Sequence, residues 1–263
     1  MIYKRIIYTL LYSKGFFHLS RNFKLQKVGD ISWLKNNFGF GETCDFIDEL
    51  IIILVTKNPD KDEIFQFFKD VNLLREKIFV PITLGGGIRS IEYAKDCFVN
   101  GADKILINYL IHKNEKIVNK ISQIYGNQAI SLMVDYKSVD ERNYTFFDRA
   151  TKKSKSLKSY FEMLEKINFG ELIVNSIDMD GTAFGFDTRC LDELPDNFNK
   201  PVLIMGGAGK PEHFEKILKK SKVMGVVTAN LFNFLGDGLK LVREYSIDNG
   251  VKLIKFNKMS HSL

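Results

Sequence analysis

The chain has 263 residues, 45% of them hydrophobic, which is enough for one large core and near the roughly 250 residues of a (β/α)8 barrel. Its net charge of +6 comes from lysines spread among glutamates, which argues against the basic stripe of a nucleic-acid binder and for a solvated surface. No run approaches the roughly 20 apolar residues of a membrane span, and the start of the chain reads as a strand rather than a leader, so a cytoplasmic location with no membrane contact is expected.

In chain order, short apolar runs predict strands at 6–11, 49–55, 78–84, 104–107, 129–134, 171–176, 202–205 and 225–228. Amphipathic stretches separate them. At 62–76, Ile64, Phe65, Phe67, Phe68, Val71 and Leu74 supply an apolar face, and at 90–100 Ser90 supplies a helix cap. Eight strands alternating with helices favour closure of a parallel sheet, so the fold expected is a single (β/α)8 TIM barrel over 1–256 with a disordered tail at 257–263. The lysine-rich segment 151–158 fits an ordered or a mobile loop equally well.

Cys44, Cys97 and Cys190 lack metal or CxxC spacing, and the four histidines show no ligand pattern, so neither a metal nor a cofactor is expected. Two glycine-rich segments carry more information. Pro81-Ile82-Thr83-Leu84 runs into Gly85-Gly86-Gly87-Ile88, and Pro201-Val202-Leu203-Ile204-Met205 runs into Gly206-Gly207-Ala208-Gly209. Each half then closes on a strand ending in asparagine, at Asn108 and Asn230. The repeat of about 120 residues implies two related half-barrels. Backbone N–H groups approach a phosphate closely only where no Cβ intrudes, so the turns suit two anion sites; they equally suit tight strand-to-helix connections. Barrel chemistry gathers at the C-terminal strand ends, where Asp135 follows the fifth strand and Asp178-Met179-Asp180-Gly181-Thr182 the sixth. Asp135 is placed for acid/base work, or alternatively caps a loop or pairs with a lysine.

These segments, with Lys4-Arg5-Ile6-Ile7, Gly85-Gly86-Gly87-Ile88-Arg89-Ser90, Gly101-Ala102-Asp103-Lys104 and Glu212-His213-Phe214, resemble the cyclase subunit of imidazole glycerol phosphate synthase over nearly the whole chain. The resemblance implies a barrel that takes ammonia from a partner glutaminase and uses it on a bis-phosphorylated substrate. By the same resemblance, Gly86, Gly87, Asn108, Asp180, Gly181, Gly207, Ala229 and Asn230 fall on phosphate-contacting positions. Arg5, Glu49, Lys104 and Glu171 fall on a charged ring gating ammonia at the opposite face, which could also be a plain structural plug. The chain departs from the family at one catalytic position. Thr9-Leu10-Leu11-Tyr12-Ser13 carries Leu11 where the family has its strand-one aspartate, while Asp135 matches the second. Leu106 and Met205 stand where the family has small hydroxylated residues.

A barrel that keeps the gate and loses half the acid/base pair is similar to a paralogue group tied to acetamidino modification of bacterial surface sugars. That resemblance implies a HisF-like subunit working with a glutaminase and an N-acetyl sugar amidotransferase. A working cyclase of histidine biosynthesis and an unrelated phosphosugar barrel are the alternatives.

Overall fold

A computed structural model describes residues 3–37, 44–76, 78–139, 144–148, 153–229 and 237–256. Eight parallel strands alternate with helices: β1 (Arg5–Ser13), β4 (Glu49–Leu54), β5 (Ile82–Gly85), β6 (Lys104–Ile107), β7 (Ile130–Ser138), β10 (Glu171–Ser176), β11 (Val202–Met205) and β12 (Val223–Thr228). They are hydrogen-bonded in that order, β12 pairs with β1, and β10 pairs with β7. The sheet is therefore a closed barrel, as the alternation of runs predicts. Its third strand begins at Ile82 rather than residue 78, because Pro81 has no N–H to give a ladder.

Two antiparallel additions were not predicted. A ribbon of β2 (Phe16–Arg21) and β3 (Lys24–Gly29) continues β1, and β8 (Tyr144–Asp148) and β9 (Lys153–Ser156) continue β7. The segment at 151–158 is thus partly strand and partly the start of helix α6 (Leu157–Leu164), with Thr151 and Lys152 outside the described residues. The tail at 257–263 lies outside them too.

The strands bury both faces, as parallel barrel strands do. Outward residues such as Ile6, Leu50 and Val174 meet the helices, while Ile7, Ile51, Leu106, Met133, Ile173, Leu203, Met205 and Val227 fill the barrel interior. Helix α2 (Lys61–Arg75) starts at Asp60, whose side chain accepts from Glu63 N, and buries Phe67, Phe68, Val71 and Leu74. Phe65 does not join that face and is 71% exposed. Helix α3 (Ile91–Val99) is capped by Ser90 as expected. Helix α8 (Gly238–Asp248) is tied to the segment before β4 and to the chain that follows it: buried Arg243 binds Asp48 at 2.5 Å and the carbonyls of Phe46 and Ile254. Cys44, Cys97 and Cys190 are all buried, and burial pushes each thiol up to about 12, so none is a thiolate nucleophile at neutral pH. Among the described residues, no helix is long and apolar enough to cross a membrane.

Candidate functional site at the two ends of the barrel

Because side chains alternate along a strand, the residues at every second position of β1, β4, β6, β7 and β10 share the barrel interior in layers. The lowest layer is charged. Arg5 binds Glu49 at 3.2 Å and Glu171 at 2.6 Å, and Lys104 binds the same two carboxylates at 2.6 and 2.8 Å. Four predicted residues from four strands thus form a closed ring in which each cation holds both anions. The remaining acceptor capacity is filled from within the barrel, Thr83 Oγ1 donating to Glu49 at 2.5 Å and Ser131 Oγ to Glu171 at 2.6 Å. Burial pushes the Glu171 carboxyl up, but Arg5, Lys104 and the two hydrogen bonds outweigh it and bring it down to about 2. Buried carboxylates persist here because they are fully paired.

Above the ring lies the apolar layer of Ile7, Ile51, Leu106, Met133, Ile173, Leu203 and Val227. The next inward positions are Thr9 on β1, Asp135 on β7 and Asn175 on β10, and beyond Thr9 comes Leu11; Leu11, Asp135 and Asn175 line a cavity of about 440 Å³ that opens at the C-terminal strand ends. Asp135 is buried, and both its carboxylate oxygens accept amide hydrogen bonds, from Asn108 Nδ2 at 2.9 Å and Asn175 Nδ2 at 2.8 Å. Sequence reasoning identified Asp135 and Asn108 and missed Asn175. Its signal was the inward alternation Glu171, Ile173, Asn175 on β10. Leu11 is 7% exposed and lines the same cavity, so an apolar side chain shares it with Asp135.

The glycine turns sit on β5 and β11, four places apart in the ring of eight strands and so on opposite sides of the mouth. Gly86 and Gly206 have φ of 97° and 98°, the same left-handed backbone in each half. A Cβ on Gly86 would overlap the Leu54 carbonyl oxygen, and one on Gly207 the Gly185 carbonyl oxygen. Gly86, Gly87, Asn108, Asp180 and Ala229 line the 440 Å³ cavity, with Lys57 and Arg89 adding positive charge at its rim. Gly181 and Gly207, again with Asp180 and Ala229, line a second cavity of about 160 Å³. Asn230 lies outside the described residues. Ser20, Asp180, Met205 and Ala229 line both cavities, so the two adjoin beside Asp180. Its Oδ2 accepts from Ser20 Oγ at 2.6 Å and Phe23 N at 2.9 Å.

The chain is similar to known proteins along most of its length. The family profile described as Histidine biosynthesis protein matches residues 47–236. A chain of Parasynechococcus marenigrum (strain WH8102), provisionally named imidazole glycerol phosphate synthase subunit hisF2, is 42% identical over 243 residues, 92% of this chain and 89% of that one. Imidazole glycerol phosphate synthase subunit HisF of Clostridium botulinum (strain Okra / Type B1) is 31% identical over 257 residues, covering 95% and 98%. The HisF subunit of Chlorobium limicola is 29% identical over 254 residues, again covering 95% and 98%. With its barrel, its doubled glycine turns and these relatives along nearly its full length, the chain belongs to the histidine biosynthesis protein family, and within it to the HisF family.

Proposed function

We propose that this chain is the barrel subunit of a glutamine-dependent amidotransferase system, receiving ammonia at the charged ring from a partner glutaminase and passing it up the barrel toward amidination of a bacterial surface sugar. The observation that carries the reading is the pairing of an intact ring with an incomplete acid/base set. Arg5, Glu49, Lys104 and Glu171 make four ion pairs, while Leu11 faces the cavity that holds Asp135.

Ammonia in its neutral form suits the route. The layer between ring and cavity is apolar apart from the buried hydroxyl of Thr9, which penalises ammonium by the cost of burying an unpaired charge and admits a small neutral molecule far more easily. At the cavity, Asp135 is held as a hydrogen-bond acceptor by two amides and so serves as a base or an anchor for N–H groups. With Leu11 in place of a strand-one carboxylate it lacks the partner that divides acid from base work, a loss on the order of 10²- to 10⁴-fold. The ammonia acceptor would then be activated by a separate N-acetyl sugar amidotransferase, with a phosphorylated small molecule or phosphate ion held at the glycine turns.

The test is nitrogen transfer. With a HisH-like glutaminase and the sugar amidotransferase from the same genome, amide-labelled glutamine should deliver its nitrogen to the sugar only when this chain is present, and Lys104→Met should uncouple delivery from glutamine hydrolysis. Label transfer unaffected by omitting the chain refutes the proposal. A working cyclase is the second reading, favoured by Asp135 at the cavity floor and by relatives named as synthase subunits.

A further inference from the structure

The hydrogen-bonding side chains inside the barrel fall into two groups. Thr83 Oγ1 gives its proton to Glu49 at 2.5 Å, and Ser131 Oγ gives its proton to Glu171 at 2.6 Å. Both hydroxyls are committed to the ring. Higher on β1, Thr9 takes the next inward position after Ile7, since Tyr8 and Leu10 on either side of it face the helices. Its Oγ1 is buried with no hydrogen-bond partner, and the residue is 1% exposed. On β10 the inward Asn175 donates through Nδ2 to Asp135 at 2.8 Å, while its buried Oδ1 has no partner. Among the described residues, these are the two inward strand positions whose buried polar atoms are left without a bond.

Thr9 stands between the two ends of the barrel. It pairs in register with Ile51, and Ile7 before it pairs with Val227, all three of them members of the apolar layer. Leu11 after it lines the cavity. A valine at this place would keep the branched shape and remove a hydroxyl that is costly to bury unbonded. The chain therefore keeps a polar atom where packing and strand propensity both favour an apolar one, a departure from local consistency that is characteristic of functional positions.

We propose that Thr9 is a positioning residue of the ammonia route, a transient station whose hydroxyl donates to the nitrogen lone pair of neutral ammonia as it crosses the apolar layer. Asn175 Oδ1 is the next acceptor, taking an ammonia N–H where the layer meets the cavity. Ammonia suits both groups because it carries one lone pair and three N–H donors. Ammonium has no lone pair and cannot take the Thr9 proton, so the station serves the neutral form. The inference rests on the proposed conduction of ammonia and names the residue that holds the molecule between ring and cavity.

Thr9→Val removes the hydroxyl and keeps the shape, and Thr9→Ser keeps the hydroxyl. The full complex with glutaminase and sugar amidotransferase is given amide-labelled glutamine in unlabelled ammonium, and label reaching the sugar is counted per glutamine hydrolysed. The net worth of one hydrogen bond corresponds to about two- to tenfold in an equilibrium, so delivery should fall by about that factor in Thr9→Val and stay near wild type in Thr9→Ser. In urea, Thr9→Val should be at least as stable as wild type, because a buried unbonded group is gone. Delivery by Thr9→Val equal to wild type, or Thr9→Ser as deficient as Thr9→Val, overturns the station and leaves conduction standing. Lower delivery accompanied by lower stability overturns it as well, since the hydroxyl would then be structural. No label transfer by the wild-type complex overturns conduction itself.

Discussion

Replacing Glu171 by glutamine keeps the shape of the ring and removes one of its two negative charges. Glu171 accepts from Arg5, Lys104 and Ser131, and its carboxyl is brought from 4.5 to about 2, burial opposing and the two cations prevailing. A depression of that size corresponds to about 3 kcal/mol of folding stability, at 1.36 kcal/mol per unit. The sign follows from the direction. A carboxyl lowered on folding contributes fully above its unfolded value near 4.5, and the contribution is lost as pH falls toward 2. Glu171→Gln should therefore unfold in urea with a stability about 3 kcal/mol below wild type at pH 7, and the gap should close between pH 4.5 and 2. Arg5 and Lys104 keep Glu49 as a partner, so the loss should not exceed the roughly 3–5 kcal/mol of a broken buried pair. A gap unchanged from pH 7 to 3, or none at pH 7, would refute the account of the ring as a tightly coupled buried network.

Asn175→Leu should leave Asp135 with one amide donor fewer and cost about 1–3 kcal/mol in denaturant titrations, which an equal stability of variant and wild type would contradict. Gly207→Ala should cost about 3 kcal/mol or more, because its Cβ would overlap Gly185 and φ is +100°. At Gly250, with φ of +86° and open space around the Cβ position, the same change should cost only about 1 kcal/mol; equal losses at the two sites would count against the packing of the second turn. Tyr12→Phe removes the 2.6 Å bond to buried Asp70, which keeps Gln66 as a side-chain donor, and thermal melts should show a loss of about 1–3 kcal/mol.

Much of this arrangement was legible in the sequence for definite reasons. Barrel strands buried on both faces read as continuous apolar runs, so all eight were visible, and the glycine turns marked their own strand ends. Arg5, Glu49, Lys104 and Glu171 each stand at the first residue of a strand, and closure of the barrel brings them together. The ribbon was not legible: Phe16-Phe17-His18-Leu19 lacks clean alternation, its two tips are Lys14-Gly15 and Asn22-Phe23, and its partner Asp180 is distant in sequence. Asn175 was hidden for a related reason. An amide inside an apolar run declares its role only when the side chain it faces is known, and here that is Asp135. Phe65 misled because hydrophobicity alone does not fix which side of a helix meets the core.

The claim that this barrel carries ammonia without efficient cyclisation is tested most directly by turnover of the bis-phosphorylated cyclase substrate with excess ammonium salt, which bypasses any glutaminase. The account predicts turnover at least 10²-fold below that of a HisF barrel with both aspartates, and a rise of that order in Leu11→Asp. A wild-type rate comparable with such a barrel would contradict it and make Leu11 a tolerated residue of a working cyclase.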